Sequence, residues 1–214
     1  MISHIIKEDS GNPSVFHYVP NFLTKEEGIL LFEYLENMKD FVENPKMSDS
    51  VSKFSRLQKW YNIDKKYFCP MWKERYAHWE SFEMDGVITE LIDKTQKFII
   101  DNKTINDDNI QIPFINSCLI NKYPQGENFI APHRDSSLSF GLEPTIIGLS
   151  LGQTRKINFE RLEKDKKHMN FSFELESNSM FIMGGASQLH YHHSINKEIC
   201  ENVRYSLTFR EFIL

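Results

Sequence analysis

The chain has 214 residues, 40% of them hydrophobic and 13% aromatic, with 17 Phe, which suits one globular domain with a real core and room for a cavity and excludes a disordered chain. Its formal net charge of −5 argues against a protein that coats duplex nucleic acid through a strong salt-dependent grip. No apolar run reaches membrane-spanning length, residues 1–12 are too polar for a signal peptide, and Cys69, Cys118 and Cys200 lack a Cys-x-x-Cys spacing, so no membrane, no structural zinc and an intracellular place in cytoplasm or nucleus are expected.

In chain order, the first clear element is a helix. Thr24-Lys25-Glu26-Glu27 has the form of a capping box, in which Thr24 accepts from the Glu27 backbone while Glu27 reaches back. Behind it Leu31, Tyr34, Leu35 and Met38 recur at helical spacing and predict a helix over about 25–38. Residues 53–76 differ in kind: Lys53, Arg56, Lys59, Lys65, Lys66, Lys73 and Arg75 stand against Asp64 and Glu74, a local excess of five positive charges. Phe54, Trp60, Tyr61, Tyr67, Phe68, Trp72 and Tyr76 are interleaved with them. Aromatic rings between cations stack bases while the cations neutralise phosphates; the same letters also describe a half-buried aromatic layer under solvated lysines. A second helix is predicted over 85–100, with Val87, Ile88, Leu91, Ile92, Thr95, Phe98 and Ile99 on one face.

From residue 115 the period changes. Short β-rich runs at 115–123, 145–151, 155–160, 170–175, 179–183, 189–195 and 203–212 are punctuated by Gly126, Gly141, Gly152 and Gly184-Gly185. Such a series predicts a jelly roll or barrel backed by the two helices, and the lysine-rich 160–168 stretch reads as an exposed loop. In the last strand, alternation puts Val203, Tyr205, Leu207 and Phe209 on one face and Arg204, Ser206, Thr208 and Arg210 on the other. A polar face bearing two arginines needs either solvent or an anion.

His133-Arg134-Asp135 places an imidazole and a carboxylate on one side of an extended segment, and His190, His192 and His193 crowd a later strand. Two imidazoles and one carboxylate form the facial ligand set of a non-haem Fe(II) site, which leaves positions open for a co-substrate and dioxygen.

These motifs resemble the AlkB family of Fe(II)- and 2-oxoglutarate-dependent dioxygenases. Asn121-Lys122-Tyr123 looks like the family's Asn-x-Tyr strand and leads into His133-Arg134-Asp135. The run from Pro144 to Arg155 is similar to Pro-Thr-Ile…Leu-Ser-Leu-Gly-x-Thr-Arg, Arg204-Tyr205-Ser206-Leu207-Thr208-Phe209-Arg210 to the closing arginine strand, and Arg56 to Tyr61 to the lid element. The resemblance implies an α+β, mainly β fold, a double-stranded β-helix (jelly roll) at 106–214 with an N-terminal α/β extension at 1–105 that carries a substrate lid at about 50–80. It assigns Fe(II) to His133, Asp135 and a distal histidine. His193-Ser194-Ile195 fits the family step, which favours His193, with His192 on the opposite strand face as the alternative.

By the same resemblance 2-oxoglutarate belongs to Asn121, Tyr123, Arg204, Ser206 and Arg210, and O2 is the remaining co-substrate. Arg56, Trp60, Tyr61, Tyr67 and Ser137 are expected to meet the substrate. Two departures stand out: Ser136 and Ser137 occupy positions where nucleic-acid repair members usually carry an acid, and Ser206 stands where many have Asn. The implied function is oxidative demethylation of alkylated bases of the 1-methyladenine and 3-methylcytosine type in single-stranded DNA or RNA, or of a base flipped out of the stack. The partner expected is nucleic acid, and the chain is expected to act as a monomer. Alternatives are hydroxylation of a protein or small molecule by the same chemistry, or a non-catalytic nucleic-acid-binding jelly-roll module.

Overall fold

The computed structural model describes residues 1–9, 11–43, 56–64, 66–67, 80–107 and 110–213. Its elements are β1 (Ile2–Ile6), β2 (Ser14–Val19), α1 (Lys25–Asn37), β3 (Val42–Glu43), β4 (Leu57–Asn62), α2 (Gly86–Asp101), α3 (Lys103–Asp107), β5 (Ser117–Tyr123), β6 (Ile130–His133), α4 (Ser137–Phe140), β7 (Ile146–Gly152), β8 (Arg155–Arg161), a 3-10 helix (Lys164–Met169), β9 (Phe171–Leu175), β10 (Ser179–Gly185), α5 (Ser187–His190), β11 (Tyr191–Ile195) and β12 (Arg204–Arg210).

Two antiparallel sheets face each other. The larger runs β1-β2-β10-β7-β12-β5-β4-β3 and the smaller β6-β11-β8-β9. The fold is a double-stranded β-helix with helices on one side, as the strand series and its resemblance implied. Alternation divides the large sheet's side chains between two cores. Val15, Tyr61, Ile120, Leu149, Ile182, Tyr205 and Leu207 pack with Leu31 and Leu35 of α1 and with Ile88, Leu91 and Ile99 of α2. Phe16, Tyr123, Ile146, Phe181 and Met183 point the other way, against Ile157, Phe159, Tyr191 and Ile195 of the small sheet.

The helices form where their caps and stripes predict. Thr24 accepts from Glu27 N at 3.2 Å and Glu27 Oε2 accepts from Thr24 N at 2.8 Å, while Asp85 caps α2 by accepting from Ile88 N at 3.0 Å. Tyr205 Oη donates to Leu35 O at 3.2 Å, tying the C-terminal end of α1 to the middle of the sheet. Gly152 ends β7 at φ 84, and a Cβ there would meet Val203 O at 2.3 Å. A side chain would therefore obstruct the turn that carries the chain from the large sheet to the small one.

Two sequence expectations change. β1, β2 and β4 precede residue 115 yet belong to the large sheet; β2 is buried along its whole length, so Ser-Val-Phe-His-Tyr-Val shows no alternation to signal a strand. The 160–168 stretch is not simply an exposed loop: Arg161 ends β8 at 5% exposure and a 3-10 helix follows. Arg161 is held there by a bidentate pair with Glu8 at 2.8 and 2.6 Å, and by Glu163. Of the basic, aromatic 53–76 stretch, residues 53–55, 65 and 68–76 lie outside the described residues, as does Cys69. No helix among the described residues is long and apolar enough to cross a membrane.

Candidate active site

β6 and β11 are hydrogen-bonded neighbours, and their register sets His193 directly opposite His133. The two imidazoles are 4.2 Å apart between centroids. Asp135 follows two residues beyond His133, and its backbone N–H donates to Gln188 Oε1 at 2.9 Å, which fixes the loop leaving β6. One ligand atom each from His133, Asp135 and His193 lie within 4.8 Å of one another. His190 and His192 are not part of this group. His190 instead meets Glu163 at 3.1 Å beside Arg161.

The protonation states suit a metal. Burial, reinforced by the neighbouring His133, pushes the His193 imidazole down to about 3, so its lone pair is available at neutral pH. Burial also lowers His133 against the pull of Asp135. His133 Nδ1 is 3.0 Å from Ala131 O, which selects the tautomer that leaves Nε2 as the donor to a cation. For Asp135, burial raises the carboxyl, but Arg210 and the two imidazoles outweigh it and keep it below its ordinary value. Asp135 Oδ2 is 2.8 Å from Arg210 Nε, an ion pair by proximity in which neither atom makes an aligned hydrogen bond. Two neutral imidazoles and an ionised carboxylate, with His193 Nδ1 buried and unpartnered, fit a divalent iron.

A cavity of about 440 Å³ opens beside these three residues. The polar face of β12 lines it with Arg204, Ser206, Thr208 and Arg210, while Asn121 and Tyr123 come from β5 and Ser150 from β7. Arg210 stands at the metal end through Asp135. Arg204, six residues earlier on the same strand, is 2% exposed. Its Nη2 donates to Ser150 Oγ at 2.9 Å and its guanidinium stacks 5.0 Å over Tyr123, while Nε and Nη1 have no hydrogen-bond partner. A buried guanidinium with two unmet donors is costly unless an anion joins it. A short diacid reaching from the iron to Arg204 is such an anion, so the lining fits 2-oxoglutarate as well as the histidines fit iron.

The expected substrate residues divide. Arg56 lines the cavity and donates from Nε to Asn121 Oδ1 at 2.8 Å. Trp60 and Tyr61 are corrected: at 2% and 3% exposure, Trp60 packs with Leu119, Phe140 and Phe212, and Tyr61 lies on the helix-facing side of β4, where its hydroxyl reaches Met38. Strand alternation alone sends Tyr61 away from the cavity. Tyr67 bridges to Glu80 and does not line the cavity. Ser137 is exposed at the start of α4, whereas its neighbour Ser136 is in the wall. Lys59, placed among the phosphate-binding cations, is 8% exposed and donates to Lys39 O at 2.9 Å.

Several contributors carried no sequence signal strong enough to name them. Gln58 joins Arg56 in donating to Asn121 Oδ1, at 2.8 Å; alternation along β4 puts both on the Asn121 side, once β4 is known to be a strand. Ser150 stands in the cavity wall on β7, opposite Ser206 of β12. Arg155, 1% exposed, donates to the carbonyls of Asn128 at 3.0 Å and of Asn196, clamping the loops after β5 and β11 together at the far end of the pocket.

Comparison with known proteins agrees with this geometry. The model of the 2OG-Fe(II) oxygenase superfamily matches residues 15–210. The DNA oxidative demethylase ALKBH2 of Bos taurus is 30% identical over 105 residues, 46% of this chain and 37% of that protein. The alpha-ketoglutarate-dependent dioxygenase alkB homolog 3 of Homo sapiens is 29% identical over 102 residues, 44% of this chain and 36% of that protein. The matched region thus spans little more than a third of these relatives. Among solved structures, OsALKBH1 superposes with a TM-score of 0.61 at 14% identity, covering 92% of this chain and 97% of that one. An oxidoreductase of the 2OG-Fe(II) oxygenase family from Burkholderia pseudomallei gives 0.58 at 13% identity, with 92% and 85% covered. The chain belongs to the 2OG-Fe(II) oxygenase superfamily, on its AlkB-like branch.

Proposed function

We propose that this chain is an Fe(II)- and 2-oxoglutarate-dependent oxidative demethylase of N-methylated bases in DNA or RNA, acting on a base that is single-stranded or flipped. One observation carries the reading: a His133, Asp135, His193 donor set opens onto the same cavity in which Arg204 holds two unsatisfied guanidinium donors. The likeness to the AlkB homologues supplies the substrate class, with 1-methyladenine and 3-methylcytosine as its expected members.

In this reading His133, Asp135 and His193 hold the iron, and Arg204 grips the far carboxylate of the co-substrate with the planar fork that a lysine lacks. Tyr123 and Ser150 keep that guanidinium in place. Arg210 secures Asp135 in its ionised form. Asn121, whose carbonyl oxygen is occupied by Arg56 and Gln58, has its amide N–H groups left to offer the co-substrate. Bound together, iron, dioxygen and 2-oxoglutarate supply an oxidative hydroxylation that yields succinate and CO2, and an N-methyl group hydroxylated in this way leaves as formaldehyde. Ile146, Ile157, Phe181 and Ile195 in the wall keep bulk water from the reacting carbon.

The test is a panel of methylated oligonucleotides incubated with the protein, Fe(II), ascorbate and 2-oxoglutarate, with formaldehyde, succinate and product base composition as readouts. Demethylation with matching succinate is expected. Co-substrate turnover with every oligonucleotide left intact would point to a protein or small-molecule hydroxylase, and failure to take up one Fe(II) per chain to a non-catalytic module.

A further inference from the structure

We infer that Arg155 and Glu198, which stand behind the cavity wall, set how tightly the far carboxylate of 2-oxoglutarate is held: Arg155 closes and charges the end of the pocket around Arg204, and Glu198 counteracts it. Both are positioning residues, and the inference rests on the reading in which Arg204 takes that carboxylate.

Arg155 begins β8, where alternation sets it on the same side as Ile157 and Phe159 of the core between the sheets. Leu175 of β9 is its partner across the ladder, and both Leu175 and Ile157 are in the cavity wall. Arg155 therefore stands at the end of the small sheet, one step behind the wall, and Arg204 faces it from the large sheet. The two guanidiniums share one ring: Arg204 lies 5.0 Å and Arg155 5.9 Å from the centroid of Tyr123. Burial is the main cause that holds the Arg204 guanidinium below its ordinary value; Tyr123 opposes this, Arg155 adds to it, and Glu198 opposes it. A second cation this near raises the positive potential that an anion meets at Arg204.

Arg155 acts through its neighbours and not by contact with the co-substrate. Its Nη2 donates to main-chain carbonyls, Asn128 O at 3.0 Å, Gly126 O at 3.4 Å and Asn196 O, which belong to the loops that follow the wall residues Tyr123 and Ile195. Gly126 N donates to Cys200 O at 2.8 Å and Glu198 N to Gly126 O at 3.0 Å. These loops pack so closely that a Cβ on Gly126 would meet Glu198 O at 2.1 Å. A closed end keeps bulk water from Arg204, and the low dielectric strengthens its attraction for a carboxylate. Glu198 Oε2 is 3.4 Å from Arg155 Nε, where no aligned hydrogen bond forms. Glu198 thus contributes charge more than anchorage, and it offsets part of the potential that Arg155 adds.

The experiment compares two ligands of the Mn(II)-loaded protein by isothermal titration: 2-oxoglutarate, and 2-oxopentanoate, which keeps the keto-acid end and the chain length but lacks the far carboxylate. The quantity read is the ratio of their Kd values. Arg155→Met should shrink that ratio by about tenfold, with Arg155→Lys between it and the unmodified protein and Mn(II) affinity the same in all three. Glu198→Gln should move it the other way, about threefold wider at low salt and level with the unmodified protein at high salt. The Glu198 side chain is 36% exposed and glutamine keeps an acceptor for Lys156 N, so this arm decides the matter if Arg155→Met does not fold. A purely structural Arg155 would weaken both ligands alike. A fixed ratio in Arg155→Met, or a fixed or narrower one in Glu198→Gln, overturns the inference, while a preference of the unmodified protein for 2-oxoglutarate leaves Arg204 as the carboxylate site. Equal affinity of the unmodified protein for the two ligands overturns the Arg204 reading and this inference together.

Discussion

Arg204→Lys isolates the geometry of co-substrate recognition from its charge. Arg204 is 2% exposed, one of its nitrogens is held by Ser150 at 2.9 Å, and two others are unpaired. Lysine keeps the positive charge but replaces a fork by a point donor, so one charge-assisted hydrogen bond to the far carboxylate is lost. Such a bond is worth about 1.5–3 kcal/mol, which corresponds to a roughly 10- to 150-fold weaker Kd for 2-oxoglutarate. Isothermal titration of 2-oxoglutarate into the Mn(II)-loaded protein under anaerobic conditions measures it directly. The same structure makes a second demand. In the protein without co-substrate the buried guanidinium is a liability, so Arg204→Met should leave the Tm unchanged or raise it, since apolar replacement of a buried charge is often neutral or stabilising. A Kd for the lysine variant within about twofold of the unmodified protein would refute the fork argument, and a collapse of Tm in the methionine variant would show that Arg204 is a structural group.

Three further outcomes are expected. His133→Ala should abolish iron-dependent turnover while moving the Tm by no more than about 3 °C, because a side chain at the open mouth contributes little to the core; a larger loss would count against its placement. Glu8→Gln should destabilise the protein by about 3–5 kcal/mol near neutral pH, since it leaves Arg161 buried without its bidentate partner. Burial raises the Glu8 carboxyl, but Arg161 and Ser14 more than reverse this, so its folded value lies below the ordinary 4.5. The contribution is therefore complete above pH 4.5 and drains away as pH falls further. Melting curves of both proteins should converge in acid, and a gap that widens there would contradict the pairing. Lys59→Gln should lower Tm without changing the salt dependence of oligonucleotide binding, because its ammonium sits 4.5 Å over the Phe82 ring and bonds Lys39 O. A reduced salt slope would restore it to the phosphate-binding surface.

Much of the site was legible in one dimension because its information is local. Arg204, Ser206, Thr208 and Arg210 share a face through strand alternation alone, and the structure presents all four to the cavity. The capping box at Thr24 and the stripe of α2 needed only a few consecutive residues, and both helices form within a residue or two of the expected limits. His193 over His192 came from the resemblance of His193-Ser194-Ile195 to the family step, with alternation only setting the two on opposite faces.

What the one-dimensional pattern left open depended on pairing between distant segments. Nothing near Trp60 or Tyr61 says that β4 lies beside β5 with helices behind it, and that neighbour is what turns two lid candidates into core residues. The Glu8–Arg161 pair joins residues 153 positions apart, and the grip of Arg56 and Gln58 on Asn121 spans more than 60. Residue type, period and order determined the chemistry this chain can hold: two imidazoles, a carboxylate and a strand with two arginines. Only the tertiary register, His133 opposite His193 and Arg210 against Asp135, decided that they share one cavity. The reason is physical: alternation and capping are set by neighbours along the chain, whereas the charge balance of a pocket is set by which strands the hydrophobic cores bring together.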